Sequence, residues 1–189
     1  MIKKFPTYIQ LDTMDCGPAC LRIIAKYYGK NYSLQTLRDY CHINREGVSL
    51  LGISDAAEKI GFRTMGVKIS FEQLCNDAFF PCIIHWNQGH FVVAYKIEKK
   101  KRETYVYISD PASGLLKYKK DQFLRCWAQT NSQSTSQNSI GIALLLDPTP
   151  KFFDQNDEVS KLNFKNVLKY LFRKHSKKCT FYTLRFGCS

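Results

Sequence analysis

The first half of the chain has apolar residues at helical spacing, and small polar residues stand where each helical run begins. The run over residues 16–29 places Leu21 and Ile24 on one face and Arg22 and Lys26 on another, as an amphipathic helix requires. Further helices are predicted at 33–41 with Ser33 as the cap, at 49–59 with Ser49 as the cap, and from Ser70-Phe71-Glu72 onwards.

The second half alternates apolar and polar residues in the manner of strands. Strands are predicted over residues 82–85, 90–97, 104–109, 115–118 and 140–146, with a short helix near 121–127. Residues 63–69 have the pattern of a strand as well, which we expect to be a short connection. Helices followed by strands predict an α+β fold, in which a helical N-terminal half packs against an antiparallel sheet.

Cys16 stands at the predicted start of the first helix, a position that suits a nucleophilic thiol. Gly17 permits a sharp turn into the helix, and Pro18 fits the first turn because no N–H is needed there. The unpaired N–H groups of a helix N-terminus carry partial positive charge, which favours thiolate over thiol. The charge of Asp15 acts in the opposite direction, although its side chain could also cap the helix.

A histidine and a carboxylate are predicted to meet at one end of the sheet. A hairpin that folds near residue 101 brings position 90 opposite a position near 111. We expect Asp110 to accept the Nδ1–H of His90 and to leave Nε2 facing Cys16. Gln10 is expected to turn its amide N–H toward a developing oxyanion. The order amide, cysteine, histidine, carboxylate is that of a papain-like cysteine peptidase, with its active cleft between helices and sheet.

Other cysteines and histidines offer alternative interpretations. Cys20 lies one turn after Cys16 and is expected to pack in the core. His85 is a rival base, but it falls inside a predicted strand, where we expect a structural hydrogen bond. Cys82, His85 and His90 also have the composition of a zinc site. Strand parity places the first two on opposite faces, so no metal is predicted.

The motifs together resemble those of a known family. They are Gln10, Asp15-Cys16-Gly17-Pro18-Ala19-Cys20, His85-Trp86, His90-Phe91-Val92-Val93 and Asp110-Pro111. In this order they are similar to the N-terminal peptidase domain of peptidase-containing ABC transporters, the bacteriocin-processing family, over roughly residues 5–150. By this resemblance Cys16 is the nucleophile, His90 the base, Asp110 its orienting partner and Gln10 the oxyanion donor.

The resemblance also implies an activity and partners. It implies a cysteine endopeptidase that removes the leader from a secreted peptide or bacteriocin precursor after a Gly-Gly site. The implied partners are the leader peptide and the membrane and ATPase domains of a transporter, in cis or in trans. The implied location is the cytoplasm, at the inner face of the bacterial cell membrane. The alternative function is a catalytically silent leader-peptide docking module of an exporter, which the four filled chemical positions argue against.

Export itself is not expected of these 189 residues. No apolar run approaches the roughly 18 residues of a spanning helix, and no phosphate-loop motif is present. We therefore expect an excised domain, a stand-alone peptidase or the product of a truncated transporter gene. The basic charge permits nucleic-acid binding, but no recognised motif accompanies it, so we predict no nucleic-acid partner and no cofactor.

Charge and cysteine usage divide the chain further. Residues 1–150 hold 19 Lys and Arg against 13 Asp and Glu, and residues 151–189 hold 9 against 3, so each part carries half of the net +12. We predict a peptidase domain at 1–150 and a basic linker or amphipathic tail at 151–189, juxtamembrane in a longer transporter. Its segment 161–178 suits an anionic membrane surface; a solvated tail is the equal alternative. The eight scattered cysteines predict reduced thiols.

Overall fold

Helices and strands follow one another along the described part of the chain. The computed structural model describes residues 4–43, 47–87, 89–128 and 139–154. The helices are α1 (Cys16–Tyr27), α2 (Leu34–Cys41), α3 (Leu50–Lys59), α4 (Phe71–Asn76), α5 (Lys120–Trp127) and α6 (Pro150–Asp154), with a 3-10 turn at Thr13–Asp15. The strands are β1 (Phe62–Ser70), β2 (Cys82–Trp86), β3 (His90–Lys99), β4 (Thr104–Asp110), β5 (Gly114–Lys119) and β6 (Ile140–Pro148). The basic segment 161–178 lies outside the described residues.

Serine side chains start three of the helices, as the sequence predicts. Ser33 accepts a hydrogen bond from the backbone N–H of Thr36, and Ser49 accepts one from Gly52. Ser70 forms a capping box with the residue three positions later, in which each side chain accepts the other's backbone N–H. Each serine removes an unpaired donor from a helix start, so the predicted beginnings of α2, α3 and α4 are confirmed.

All the described strands form one antiparallel sheet in the order β1-β6-β2-β3-β4-β5. The strand predicted at residues 63–69 is confirmed as β1, which spans nine residues. This segment is an edge strand that pairs with β6 from Phe62 opposite Pro148 to Ser70 opposite Ile140. A local pattern predicts a strand but not its partner, and here the partner comes from the other end of the described chain.

The hairpin of β3 and β4 brings the predicted site residues to one end of the sheet. Lys99 pairs with Thr104 at the turn, and Val93 pairs with Ser109 toward the other end. The start of β3 therefore lies beside the end of β4. The prediction that position 90 faces a position near 111 is confirmed.

The two faces of the sheet bury separate cores. On one face, Leu21 and Ile24 of α1 pack with Val93 of β3. On the other, Phe123 of α5 packs with Val92. Neighbouring residues of β3 thus serve opposite cores, as the alternation of side chains along a strand requires. The expected packing of the N-terminal helices against the sheet is confirmed, and it places the start of α1 next to β3.

The sequence analysis did not foresee α6. Its Phe152 is fully buried, and a Cβ built on Gly61 would lie 2.6 Å from the backbone nitrogen of Phe152. Gly61 also has a positive φ of 95°, which glycine adopts without strain. All described residues belong to one unit spanning residues 1–157. Among them, no helix is long and apolar enough to cross a membrane.

Candidate active site

Cys16 is the first residue of α1 and is 4% exposed. The 3-10 turn before it is capped by Asp12, whose side chain accepts the backbone N–H of Met14. Gly17 lies so close to α3 that an added Cβ would stand 2.8 Å from Cδ1 of Ile53, and 2.5 Å from Cγ1 of Val48 just before that helix. The helix N-terminus favours negative charge on the Cys16 sulfur. The capped turn and the close packing of Gly17 therefore fix the position of the Cys16 thiol at the N-terminus of α1.

His90 and Asp110 face each other across neighbouring strands. The His90 Nε2 and the Asp110 Oδ1 are 2.7 Å apart, and their side chains are 22% and 10% exposed. The backbone N–H of Ala112 donates to the same carboxylate oxygen over 2.8 Å. The Cys16 side chain is the other neighbour of His90 and, like Asp110, raises the pKa of the imidazole. The imidazole thus lies between the carboxylate and the thiol.

Cys16, His90 and Asp110, with Gln10 nearby, are called the catalytic row here. The charges within this row favour a protonated His90 imidazole. Burial alone would lower the pKa of His90, but the hydrogen bonds and charges of Asp110 and Cys16 raise it to about 9. Burial raises the pKa of Asp110, yet its hydrogen bonds with His90 and the Ala112 N–H leave it below the ordinary value. At neutral pH the site therefore holds a carboxylate and an imidazolium beside Cys16.

One detail of the predicted geometry was wrong. We expected Asp110 to bind Nδ1 of His90, but it binds Nε2. Nδ1 is then the ring nitrogen left for Cys16. The order of residues along a strand specifies neither the rotamer of a histidine nor the ring nitrogen that meets the neighbouring strand.

Gln10 is held beside the same end of the sheet. Its backbone N–H donates to the carbonyl of Pro111 over 2.8 Å, directly after Asp110. The segment before it is fixed by Phe5, whose ring stacks on Tyr95 at 4.1 Å. The Oε1 of Gln10 is buried without a hydrogen-bond partner among the described residues. The amide is thus close to the carboxylate end of the row and is not engaged in holding the fold.

The rival residues have other surroundings. The His85 ring packs against Phe91 with centroids 5.3 Å apart, and burial lowers its pKa. Cys82 packs in the core of the opposite face. Cys20 is fully buried, and its thiol donates to the Phe91 carbonyl over 3.2 Å, so its predicted place in the core is confirmed. In the described ranges, no group of three His, Cys, Asp or Glu side chains is arranged to bind a metal ion.

Arg38 is the neighbour that the sequence analysis missed. Its Nε and Nη2 donate to the two carboxylate oxygens of Asp15 over 2.5 and 2.6 Å. Asp15 is completely buried and directly precedes Cys16. A buried acid beside a nucleophile calls for a cationic partner, and this was the available signal. The identity of that partner depends on how α2 packs against α1.

The fold and the buried cysteine–imidazolium pair define a papain-like cysteine peptidase domain. The chain belongs to the Peptidase C39 family, because the family's model matches residues 4–138. That match contains the whole row of Gln10, Cys16, His90 and Asp110. The class of protein expected from the sequence is thereby confirmed.

Curated relatives agree with this membership. The colicin V secretion/processing ATP-binding protein CvaB of Escherichia coli is 32% identical over 154 residues, which are 77% of this chain and 21% of that protein. The transport/processing ATP-binding protein ComA of Streptococcus pneumoniae is 28% identical over 157 residues, 81% of this chain and 20% of that protein. The chain thus spans about a fifth of the length of these relatives.

Solved structures share the fold. A double glycine motif protease from an AMS/PCAT transporter, in complex with the leader peptide, is 34% identical, has a TM-score of 0.66 and aligns with 77% of this chain and 93% of its own. The peptidase domain of Streptococcus ComA, a bi-functional ABC transporter of a quorum sensing pathway, is 32% identical with a TM-score of 0.60, over 77% and 99% of the two chains. The predicted α+β peptidase fold is confirmed.

Proposed function

We propose that this chain is a cysteine endopeptidase that removes the leader from a secreted peptide or bacteriocin precursor after a Gly-Gly site, coupled to ABC-transporter export. The observation that carries the proposal is the position of His90, whose Nε2 is 2.7 Å from Asp110 and whose pKa is raised by Cys16 as well as by Asp110. The names of the relatives support the substrate class, since they describe processing together with transport. The solved double glycine protease supports the cleavage site.

The reaction follows from the roles we assign to the row. The Cys16 thiolate attacks the carbonyl carbon of the second glycine, and the negative charge that develops on the oxygen is met by the Cys16 backbone N–H and the Gln10 amide. His90 gives its Nδ1 proton to the leaving amine, which leaves a thioester on Cys16. Water then attacks the thioester, His90 accepts a proton, and the leader departs as a carboxylate. Asp110 holds the imidazole throughout and stabilises its charge.

The partners and the location belong to the same proposal. The partners are a leader peptide and the membrane and ATPase domains of an ABC transporter, in cis or in trans. Processing takes place in the cytoplasm, at the inner face of the bacterial cell membrane. The support comes from relatives of which the matched part of this chain is about a fifth, and which are described as transport and processing proteins.

The test uses double glycine precursors in reducing buffer, with those of colicin V and lactococcin among them, followed by mass spectrometry. Wild-type protein should cut after the second glycine. Cys16→Ala should not cut, yet it should bind the precursor with nearly unchanged affinity by titration calorimetry, because the cleft remains. Cys75→Ala is the matched control: this residue packs in the opposite core, so the variant should cut like the wild type.

The outcomes separate the candidate functions. Wild-type protein that binds precursors and never cuts them is the silent docking module, and Cys16→Ala that still cuts removes Cys16 as the nucleophile. A precursor with Val-Val in place of Gly-Gly tests the cleavage site. A narrow cleft that fits glycine would misplace the valine carbonyl, and a misplacement of about 1 Å costs on the order of 10²-fold in rate. Cleavage of Val-Val near the wild-type rate would indicate a broader peptidase.

A further inference from the structure

Asp15 and Arg38 form an ion pair at the entrance to the catalytic helix. Both oxygens of the carboxylate accept hydrogen bonds from the guanidinium, over 2.5 and 2.6 Å. The Asp15 side chain is 1% exposed and that of Arg38 is 34% exposed. A bidentate pair of this kind fixes orientation as well as charge. The pair therefore links α2 to the residue directly before Cys16.

The Asp15 carboxylate has no part in capping the helix. Asp15 occupies the N-cap position of α1, but its side chain makes no capping hydrogen bond. Without a cationic partner, a fully buried carboxylate would be costly. In this position it would also place a full negative charge next to the sulfur that has to become negative. Arg38 pairs with the buried carboxylate and also neutralises its charge.

The other groups around Cys16 leave this pair a decisive share of the local charge. The titratable side chains that interact with Cys16 are His90, which is paired with Asp110, together with Cys20 and Cys41. The Asp15–Arg38 pair stands at the residue directly before Cys16. Burial raises the pKa of Cys41 to about 12 and that of Cys20 well above its ordinary value, so both are neutral thiols. The charged groups around the start of α1 are therefore the His90–Asp110 pair of the catalytic row, the Asp15–Arg38 pair, and Asp12, whose carboxylate also acts on Arg38.

We propose that Arg38 is a positioning residue of the peptidase: by binding and neutralising Asp15 it keeps the Cys16 thiolate available at neutral pH and fixes the start of α1. The inference deepens the proposed function and rests on it for its biological meaning. It predicts that the two members of the pair act on Cys16 with opposite signs. If the salt bridge were purely structural, removing either partner would leave the pH dependence of Cys16 reactivity unchanged.

The test measures the rate of Cys16 alkylation by iodoacetamide against pH, with the modified cysteine located by tandem mass spectrometry. Arg38→Gln should move the half-maximal pH upward by roughly 1 unit, because it exposes the thiolate to an unneutralised carboxylate. Asp15→Asn should move it downward by roughly the same amount, because the guanidinium charge is then unopposed. The double variant Asp15→Asn/Arg38→Gln should return close to the wild-type value.

Controls keep the outcome decisive. Arg63→Gln removes the same charge from an exposed pair with Asp147, at 3.8 Å, and should leave the profile unchanged. If Arg38→Gln does not fold, Asp15→Asn and the double variant still decide. Folded variants that all share the wild-type half-maximal pH would overturn the inference. Alkylation needs no peptide substrate, so a protein with shifted profiles that never cuts precursors would overturn the proposed function alone.

Discussion

The protonation of His90 makes the stability of this fold depend on pH. Its pKa is raised from the ordinary 6.5 to about 9, so the folded protein binds this proton more tightly than the unfolded chain does. The stabilisation is fully present below about pH 6.5 and is lost as the pH rises through about 9. The wild-type Tm should therefore fall over this interval. The alkaline limb of kcat/KM should lie near its upper end, because catalysis needs the imidazolium.

Asp110→Asn tests this assignment. It removes the charge that raises the His90 pKa, so the alkaline limb of kcat/KM should move to lower pH, and the fall in Tm on the alkaline side should become smaller. His85→Gln is the matched control and should keep the wild-type pH profile, because His85 packs against Phe91 outside the row. Thermal scans and initial rates from pH 6 to 10 provide both readouts. An unchanged profile in Asp110→Asn would mean that another group sets the limb.

We propose that Gln10 acts on the transition state rather than on the fold. Its side-chain oxygen has no partner among the described residues, while its backbone N–H anchors it to Pro111. Gln10→Ala should therefore keep the anchor and lower kcat by about 10²–10³, the usual loss for one oxyanion donor, with little change in KM. Steady-state kinetics on a cleaved precursor measure both constants. An effect confined to KM would assign Gln10 to substrate binding.

Single residues also mark the limit of what the sequence could predict at the site. The order of Gln10, Cys16, His90 and Asp110 pointed to the chemistry, because a hairpin converts positions along the chain into neighbours across strands. The ring nitrogen that binds Asp110 depends on a rotamer, and no sequence pattern encodes it. The pairing of Arg38 with Asp15 depends on the packing of α2 against α1, which the local sequence pattern does not specify.

Gly17 shows how the packing of α1 against α3 fixes the position of Cys16. An added Cβ would lie 2.5 Å from Val48 Cγ1 and 2.8 Å from Ile53, so α1 approaches α3 as closely as a glycine allows. Gly17→Ala should destabilise the protein by about 1–3 kcal/mol through overpacking. It should also lower kcat, because the shifted helix carries Cys16. Urea unfolding and precursor cleavage measure the two effects.

Gly66 provides the matched control for this variant. An added Cβ there would meet only Leu50 Cδ2, at the ordinary distance of 3.8 Å. Gly66→Ala should therefore change neither the kcat nor, beyond a few tenths of a kcal/mol, the free energy of unfolding. Gly17→Ala with wild-type stability and kcat would show that α1 and α3 can separate at no cost to the site.

Elements were predicted best where their signals are local. Ser33, Ser49 and Ser70 mark helix starts because each satisfies a donor within its own turn. The segment 63–69 was recognised as a strand, yet its pairing with β6 was not, since that pairing joins distant parts of the chain. The helix α6 is a single short turn held by the buried Phe152, and a turn of this length has no periodicity to detect.

At the scale of the whole molecule, the proposed catalytic residues and the densest positive charge lie in different parts of the chain. The family match ends at residue 138 and contains the four proposed catalytic residues. The densest positive charge lies in 161–178, where apolar and basic residues alternate at helical spacing. We propose that this tail binds an anionic membrane surface, which would hold the peptidase next to a transporter.

Neutralising the tail tests this idea. The variant with Lys165→Gln, Lys169→Gln, Arg173→Gln and Lys174→Gln removes four charges, each worth about 1 kcal/mol at an anionic surface. Binding to phosphatidylserine vesicles, measured by co-sedimentation at low salt, should weaken by roughly 10³-fold, while cleavage of a soluble precursor should not change. The matched control neutralises the same number of charges at Lys99, the last residue of β3, and at Lys100, Lys101 and Arg102 in the turn that follows. Equal loss in both variants would mean that net charge alone drives binding, and no loss in the tail variant would mean that the tail is only solvated.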